Sequence, residues 1–344
     1  MVHNKQLSIA KGIGISLMVI GHSGCPDYLH DFIYSFHMIL FYFCSAYFYK
    51  LNSFMKNKRH FILHKFYRLY WPYVKWSLIF ILLHNLFFHI GFNEERLSYS
   101  EIFINIKRAI RGMWQGEHFL GAYWFLLSLL WEILLFSFIK WLDVIFKRKF
   151  VAYSLVTLLF LMGIIANKSN VDLYINREMI VLPFFYLGYL LGNRLLPVSE
   201  LVKRFSPGVA VFALLYLLIL PCFNDRVEVG QNLFGCLYMT FVGALSGIYL
   251  VLYVSRIIEN NILGGYLDYI GKNTLPIMTF HFMGFKILTF LLVFLPNIPQ
   301  SIIAEWPVPC IFRQFWFLYS IVGICFPLVL LRIKNELVNV KKRC

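Results

Sequence analysis

Long apolar stretches alternate with short polar segments along the entire chain of 344 residues. Ten of these stretches approach or reach the roughly 20 apolar residues that a helix needs to cross the hydrocarbon core of a bilayer. They lie at about 7–25, 32–49, 69–90, 122–139, 150–166, 179–193, 207–223, 232–255, 273–296 and 314–331. The apolar runs are continuous and lack the alternation of a transmembrane β-strand. The pattern predicts an all-α, polytopic membrane helix bundle with about ten transmembrane helices.

Composition and charge agree with a membrane protein. Hydrophobic residues make up 60% of the chain, against about 45–50% in a soluble domain. Lysine and arginine (32) outnumber aspartate and glutamate (17), which gives a net charge of +15. The basic clusters lie at 50–68, 147–149, 194–204 and 332–343. With ten spans, all four fall on the side of the N-terminus, so the positive-inside rule predicts that both termini are cytoplasmic. The positive excess therefore follows from topology, and we expect no nucleic-acid partner.

The domain organisation is expected to be simple. Residues 1–344 are predicted to form a single integral membrane domain without a separate soluble domain. The longest connection, about 91–121, could be an interfacial helix or a re-entrant lid. Gly188 and Gly192 are four residues apart, as are Gly243 and Gly247, and this spacing of small residues indicates close helix packing.

Ionisable residues inside predicted spans are the first functional candidates, because each is costly to bury in a bilayer unless it is paired or hydrated. They are Lys11, His22, His37, Lys75, Glu132, His281 and Lys286. Lys11 and His22 are eleven residues apart, which places them on nearly the same helix face and about 16 Å apart along the axis. Either they line one wall of a cavity, or Lys11 extends to the inner interface and His22 lies in the outer one.

A second candidate cluster lies at the cytoplasmic start of the third predicted span. Lys65 and Arg68 share a helix face at i, i+3 spacing. An arginine fork and a lysine charge could together bind a phosphate or pyrophosphate group. A basic flank is also what topology or acidic lipid headgroups would select.

The fourth predicted span carries Trp124, Ser128 and Glu132 on one stripe, at i, i+4 and i+8. A buried glutamate either pairs with a cation, for which Lys75 and Lys286 are candidates, or handles a proton. His22 and Asp27 also match the His-x-x-x-x-Asp spacing of glycerolipid acyltransferases, which is a weak signal.

Several segments, taken in order, resemble the membrane-bound acyltransferase family 3, and within it the branch of fucose 4-O-acetylase-like proteins. The similar segments are 11–23, 35–47, 65–68, 121–126, 182–189 and 270–281, so the resemblance spans residues 5 to about 285. The family's basic residue followed by ten others and a histidine is met by Lys11 and His22. Lys65 replaces the first arginine of an Arg-x-x-Arg motif, which keeps the charge and weakens a bidentate clamp.

The resemblance implies transfer of an acyl group, most often acetyl from acetyl-CoA, to a hydroxyl of a surface polysaccharide or its lipid-linked precursor. It further implies roles for particular residues. Lys11, Lys65 and Arg68 would bind coenzyme phosphates, and His22 would act as general base, although a covalent acyl-histidine is an alternative. The remaining candidates are Asp27, Glu132 and His37 to orient the imidazole, and Trp124 and His37 to contact the sugar.

Other expectations complete this interpretation. Acetyl-CoA would be a co-substrate, and we expect no permanently bound cofactor and no metal. The partners would be acyl-CoA, a glycan acceptor and the lipid bilayer. The protein is expected in a bacterial inner membrane, in the stand-alone form that lacks an esterase-like domain. The competing hypothesis is a polysaccharide flippase or polymerase, for which Arg96, Arg108 and Arg111 in the 91–121 connection are the supporting feature.

Overall fold

A computed structural model describes residues 4–113, 117–147, 150–193, 206–295 and 298–341. Within these ranges the regular structure is helical apart from one hairpin of two short antiparallel strands. The helices are α1 (Lys5–His22), α2 (Asp27–Tyr34), α3 (His37–Tyr47), α4 (Leu51–Lys56), α5 (Lys58–His89), α6 (Tyr99–Gly112), α7 (Trp124–Ile145), α8 (Phe150–Lys168), α9 (Asn176–Asn193), α10 (Pro207–Phe223), α11 (Leu237–Ile257), α12 (Ile262–Lys272), α13 (Thr274–Leu292) and α14 (Trp316–Lys341). Short 3₁₀ segments lie at His118–Tyr123, Val229–Gln231, Gln300–Ala304 and Cys310–Phe315, and the strands are β1 (Val227–Glu228) and β2 (Leu233–Phe234).

The all-helical class is confirmed, and helix forms in each of the ten predicted stretches. Five helical segments in the described residues are long and apolar enough to cross a membrane. These are His118–Ile145, Phe150–Lys168, Leu237–Ile257, Thr274–Leu292 and Cys310–Val338. The count of ten spans, the cytoplasmic termini and the single domain stay predictions. The basic cluster at 194–204 lies outside the described residues.

Apolar side chains face outward along these helices. On α10, Phe212 and Phe223 are about three-quarters exposed, at 75% and 72%. On α8, Ile165 is also largely exposed. A water-soluble surface rarely carries contiguous apolar area on this scale. The outward faces are therefore suited to lipid, and the protein is an integral membrane protein.

The second predicted stretch, 32–49, is not one helix. The backbone of Phe36 leaves the helical region, with φ of −148° and ψ of −24°, and this separates α2 from α3. The break brings the buried Phe36 ring against Gly247 of α11, where a Cβ atom would lie 2.1 Å from the ring. The missing side chain at Gly247 makes room for the ring, so the interruption is coupled to helix packing.

The connection between α5 and α7 contains a helix, α6, that lies outside the ten predicted apolar stretches. With 14 residues, α6 is too short to cross a bilayer. Ser98 and Glu101 form a capping box at its start. Hydrogen bonds from the Ser98 hydroxyl and backbone N–H to the carboxylate lower the pKa of Glu101. The sequence predicts either an interfacial helix or a re-entrant lid in this connection, and the structure has a helix there. The location of α6 at the membrane surface stays a prediction.

The helices cluster into two compact units. Unit 1 contains 1–14, 31–71 and 125–269, and unit 2 contains 15–30, 72–124 and 270–344. In unit 1, α3 packs along α9. Added Cβ atoms at Gly188 and Gly192 would each lie 2.2 Å from a backbone carbonyl oxygen, those of Phe43 and Tyr47. The predicted close packing at these glycines is confirmed.

Gly188→Ala is expected to destabilise the protein. The methyl group would force α3 and α9 apart, and overpacking of this kind costs about 1–3 kcal/mol. Gly265→Ala on α12 is the matched control, because an added Cβ there meets no atom within 4 Å. Thermal unfolding of the two variants in detergent measures the difference. Equal midpoints would contradict the packing described here.

In unit 2, α13 packs along α14 and along the 3₁₀ segment His118–Tyr123. An added Cβ at Gly323 of α14 would lie 2.5 Å from Phe285 and 2.7 Å from Val19. This close approach brings the end of α1 against α13 and α14. The Ser320 hydroxyl donates to the Ser23 hydroxyl at 3.0 Å, which holds the same end of α1 on α14.

Candidate active site

A pair of histidines lies where α1 ends against α13. Nδ1 of His22 is 3.0 Å from Nε2 of His281, and the two rings lie within 19° of parallel. His281 is fully buried, whereas His22 is only partly covered. The pair joins residues 259 positions apart in the chain. It therefore exists only because α1 and α13 pack together.

The hydrogen bonds around His281 fix which nitrogens carry protons in the neutral pair. Nδ1 of His281 lies 3.1 Å and 3.0 Å from the carbonyl oxygens of Ile277 and Met278. A carbonyl only accepts, so Nδ1 of His281 is an N–H donor and its Nε2 is an acceptor. Nδ1 of His22 must then donate to it, which leaves the lone pair of His22 on Nε2. The arrangement holds His22 in the tautomer of a base.

Aromatic rings form one side of this histidine pair. The ring of Phe282 lies 5.0 Å from that of His22 and 3.9 Å from that of His281, between centroids. Trp306 packs on Phe282 at 4.5 Å and also contacts Phe119 at 5.5 Å. The Tyr123 hydroxyl is 2.6 Å from that of Thr279, two residues before His281. These contacts hold the imidazoles in a largely apolar frame.

The structure does not bring Asp27, the predicted orienting residue, into hydrogen-bond contact with His22. Asp27 is exposed at the start of α2, and no hydrogen bond joins it to His22. His281 occupies the position for which Asp27 was a candidate. The physical reason is that α1 ends at His22 and the chain turns at Gly24, whose φ is +77°, before α2 begins at Asp27.

A second polar cluster lies inside unit 1. The Tyr42 hydroxyl is 2.5 Å from the Ser128 hydroxyl, which donates in turn to a carboxylate oxygen of Glu178. Nε of Arg177 lies 3.5 Å from the same carboxylate oxygen. Glu132 is fully buried close to Glu178, and neither of its carboxylate oxygens has a hydrogen-bond partner among the described residues.

The prediction that Lys75 or Lys286 pairs with Glu132 is wrong. Nζ of Lys286 donates to three carbonyl oxygens, those of Ile303, Ala304 and Glu305, at 2.6–2.9 Å. Lys75 is exposed, and its Nζ lies 5.0 Å from the ring centre of Trp76. Glu132 therefore has acceptor capacity that neither lysine uses.

The cationic candidates of unit 1 lie beside aromatic rings or in solvent. Nζ of Lys11 is 5.9 Å from the ring centre of Phe48, and Nζ of Lys65 is 5.4 Å from that of Phe61. Arg68 is exposed on α5. Desolvation and the neighbouring Arg68 charge lower the pKa of Lys65. These side chains can offer positive charge to an anionic ligand.

The two predicted sugar contacts differ in accessibility. His37 is buried, and its Nδ1 lies 2.9 Å from the Ile33 carbonyl oxygen. Trp124 begins α7 and is half-buried, directly after Tyr123. Among the two, Trp124 is the more accessible to a ligand.

The sequence was compared with protein families, with curated proteins and with solved structures. The family described as an acyltransferase domain matches residues 4–332, nearly the whole chain. The chain belongs to the acyltransferase 3 family. No curated protein and no solved structure matches it. The protein is thus a membrane acyltransferase, and its assignment to the fucose 4-O-acetylase-like branch stays a prediction.

Two residues of this acyltransferase were missed as site residues. The sequence identifies His281 as an ionisable residue inside a predicted span but indicates no role for it, because only tertiary packing shows that it contacts His22. Glu178 lies one residue before the sixth predicted span, 179–193, whereas α9 begins at Asn176 and includes it. A predicted span that began three residues earlier would have contained Glu178.

Proposed function

We propose that this acyltransferase moves an acetyl or other short acyl group from cytoplasmic acyl-CoA to a hydroxyl of a surface polysaccharide or its lipid-linked precursor. The observation that carries the proposal is the hydrogen-bonded pair of His22 and His281, in a chain of the acyltransferase 3 family. The family match does not favour a flippase or a polymerase.

In the proposed reaction, His22 acts as the general base. Nε2 of His22 accepts the proton of the acceptor hydroxyl while the oxygen attacks the thioester carbonyl. The C–S bond then breaks, and the coenzyme sulfur leaves with the proton that His22 held. The products are an O-acyl sugar and free coenzyme A, and the imidazole returns to its neutral form. His281 is a positioning residue, because it accepts from Nδ1–H of His22 throughout.

Charge supports the assignment of the donor side. Coenzyme A carries phosphates, and Lys11, Lys65 and Arg68 supply cations on the side that the positive-inside rule predicts to be cytoplasmic. Glu132 is a candidate for proton handling, since both of its oxygens can still accept. Trp124 and His37 are candidates for contact with the acceptor.

Purified protein in detergent, supplied with acetyl-CoA labelled in the acetyl group, tests the proposal. We expect the label to transfer to surface polysaccharide from cells that make the protein, together with release of free coenzyme A. Mass spectrometry of the polysaccharide would identify the sugar and the position acylated. A protein that binds no acyl-CoA at saturating concentrations would overturn the proposal.

Arg68→Ala is expected to weaken acyl-CoA binding about tenfold, which is the value of one charge-assisted hydrogen bond. Arg59→Ala is the matched control. It removes the same exposed charge nine residues earlier on α5, where 100° per residue places it on the opposite face. Equilibrium binding of labelled acyl-CoA distinguishes the two. An equal loss of acyl-CoA affinity in both variants would show that Arg68 contributes only to membrane topology.

A further inference from the structure

Lys286 holds a connection next to the histidine pair in place. The side chain is fully buried on α13, and its three N–H donors reach the carbonyl oxygens of Ile303, Ala304 and Glu305. Three hydrogen bonds from one ammonium group use its whole donor capacity. The backbone of residues 303–305 is therefore fixed against α13, one turn after His281.

The fixed backbone connects two features of unit 2. Trp306 follows it directly and packs on Phe282, which contacts both imidazoles of the pair. Ala304, two residues earlier, lines an open groove of about 460 Å³. Residues 304–306 therefore connect the groove to the aromatic ring that contacts the histidine pair.

The lining of this groove indicates what it can bind. Its volume falls within the range of about 300–1,000 Å³ typical of ligand sites. Its polar lining residues are Asn93, Glu94, Gln300 and Ser301, and Phe88 adds an aromatic ring. Amides, a carboxylate and a hydroxyl can donate to and accept from hydroxyl groups. Lysine and arginine are absent from its described lining residues, so a phosphate headgroup has no cation to bind.

We propose that this groove is a glycan subsite, which binds the sugar units next to the one that is acylated. The inference rests on the proposed function, since it presumes a glycan acceptor at His22. Glu94 accepts hydrogen bonds from sugar hydroxyls, Gln300 and Ser301 complete the contacts, and Lys286 fixes the adjoining backbone of residues 303–305. The positive-inside rule, which predicts cytoplasmic termini, also predicts that the groove opens on the external side, where exported sugars are found.

Glu94→Gln tests the subsite, with Glu95→Gln as its matched control. The two glutamates are adjacent and exposed, but only Glu94 lines the groove. Binding of soluble oligosaccharide fragments of the cells' own surface polysaccharide is measured on purified protein without acyl-CoA. We expect Glu94→Gln and a second groove variant, Gln300→Ala, to weaken binding about tenfold, and Glu95→Gln to bind as the wild type does.

The glycan-binding results test the subsite independently of the proposed acyl transfer. Wild-type affinity in both groove variants, or no glycan binding by the wild type, would overturn the subsite. Displacement of the glycan by glycerol phosphate would also overturn it, since that result indicates a lipid headgroup site. Selective loss in the groove variants supports the subsite even if no acyl transfer is seen, and that absence would count against the proposed function alone.

Discussion

His22→Ala should reduce acyl transfer to the polysaccharide by about 10²–10⁴-fold, the usual contribution of a positioned general base. The substitution removes the Nε2 lone pair of His22, and the lone pair that remains, on Nε2 of His281, belongs to a side chain that is fully buried. Binding of acyl-CoA should stay close to that of the wild type, since the cationic candidates are other residues. The expected change is therefore in kcat, with little effect on the affinity for the donor.

Single-turnover transfer and equilibrium binding, measured on the same preparation, separate these two effects. His89→Gln serves as the control for the loss of a histidine, because His89 is exposed at the end of α5. A His22→Ala enzyme with wild-type transfer would remove His22 from the mechanism. Loss of acyl-CoA binding together with transfer would instead place His22 in the donor site.

Apolar periodicity predicted the helices well, because each long apolar run must satisfy its backbone within one helix in a bilayer. Apolar periodicity did not predict helix boundaries that depend on tertiary contacts. The 32–49 run is divided because Phe36 fits against Gly247, and no local feature of the run reports that contact. The helix α12 was not predicted, because its apolar positions form a one-sided stripe and not a continuous run.

The site was predicted in part. The cost of burying an ionisable group identifies His22 and Glu132 from the sequence, and the His-x-x-x-x-Asp spacing suggests Asp27 as a partner of His22. Spacing cannot report contacts between distant helices, and His281 lies 259 residues from His22. The lysine partners of Glu132 were wrong for the same reason, since Lys286 bonds a backbone segment that begins 17 residues later.

His281→Phe should reduce transfer about 10²-fold or more, by analogy with the loss of the group that fixes a catalytic histidine tautomer. Phenylalanine fills a similar volume but offers no acceptor to Nδ1–H of His22. The imidazole then loses the contact that holds its lone pair on Nε2. His281→Gln is the conservative variant, because its amide oxygen reaches about as far along the side chain as the lost Nε2 and can accept the same proton.

A positioning role and a packing role give different results across these two variants. If His281 fixes the tautomer of His22, glutamine restores much of the rate and phenylalanine does not, while both variants bind acyl-CoA as the wild type does. If His281 only fills space, phenylalanine should be the better substitute, since it retains the ring contact with Phe282 and leaves no polar group in an apolar frame. Thermal midpoints of both variants show whether each is folded. Full activity in His281→Phe would remove the hydrogen bond between the two histidines from the mechanism.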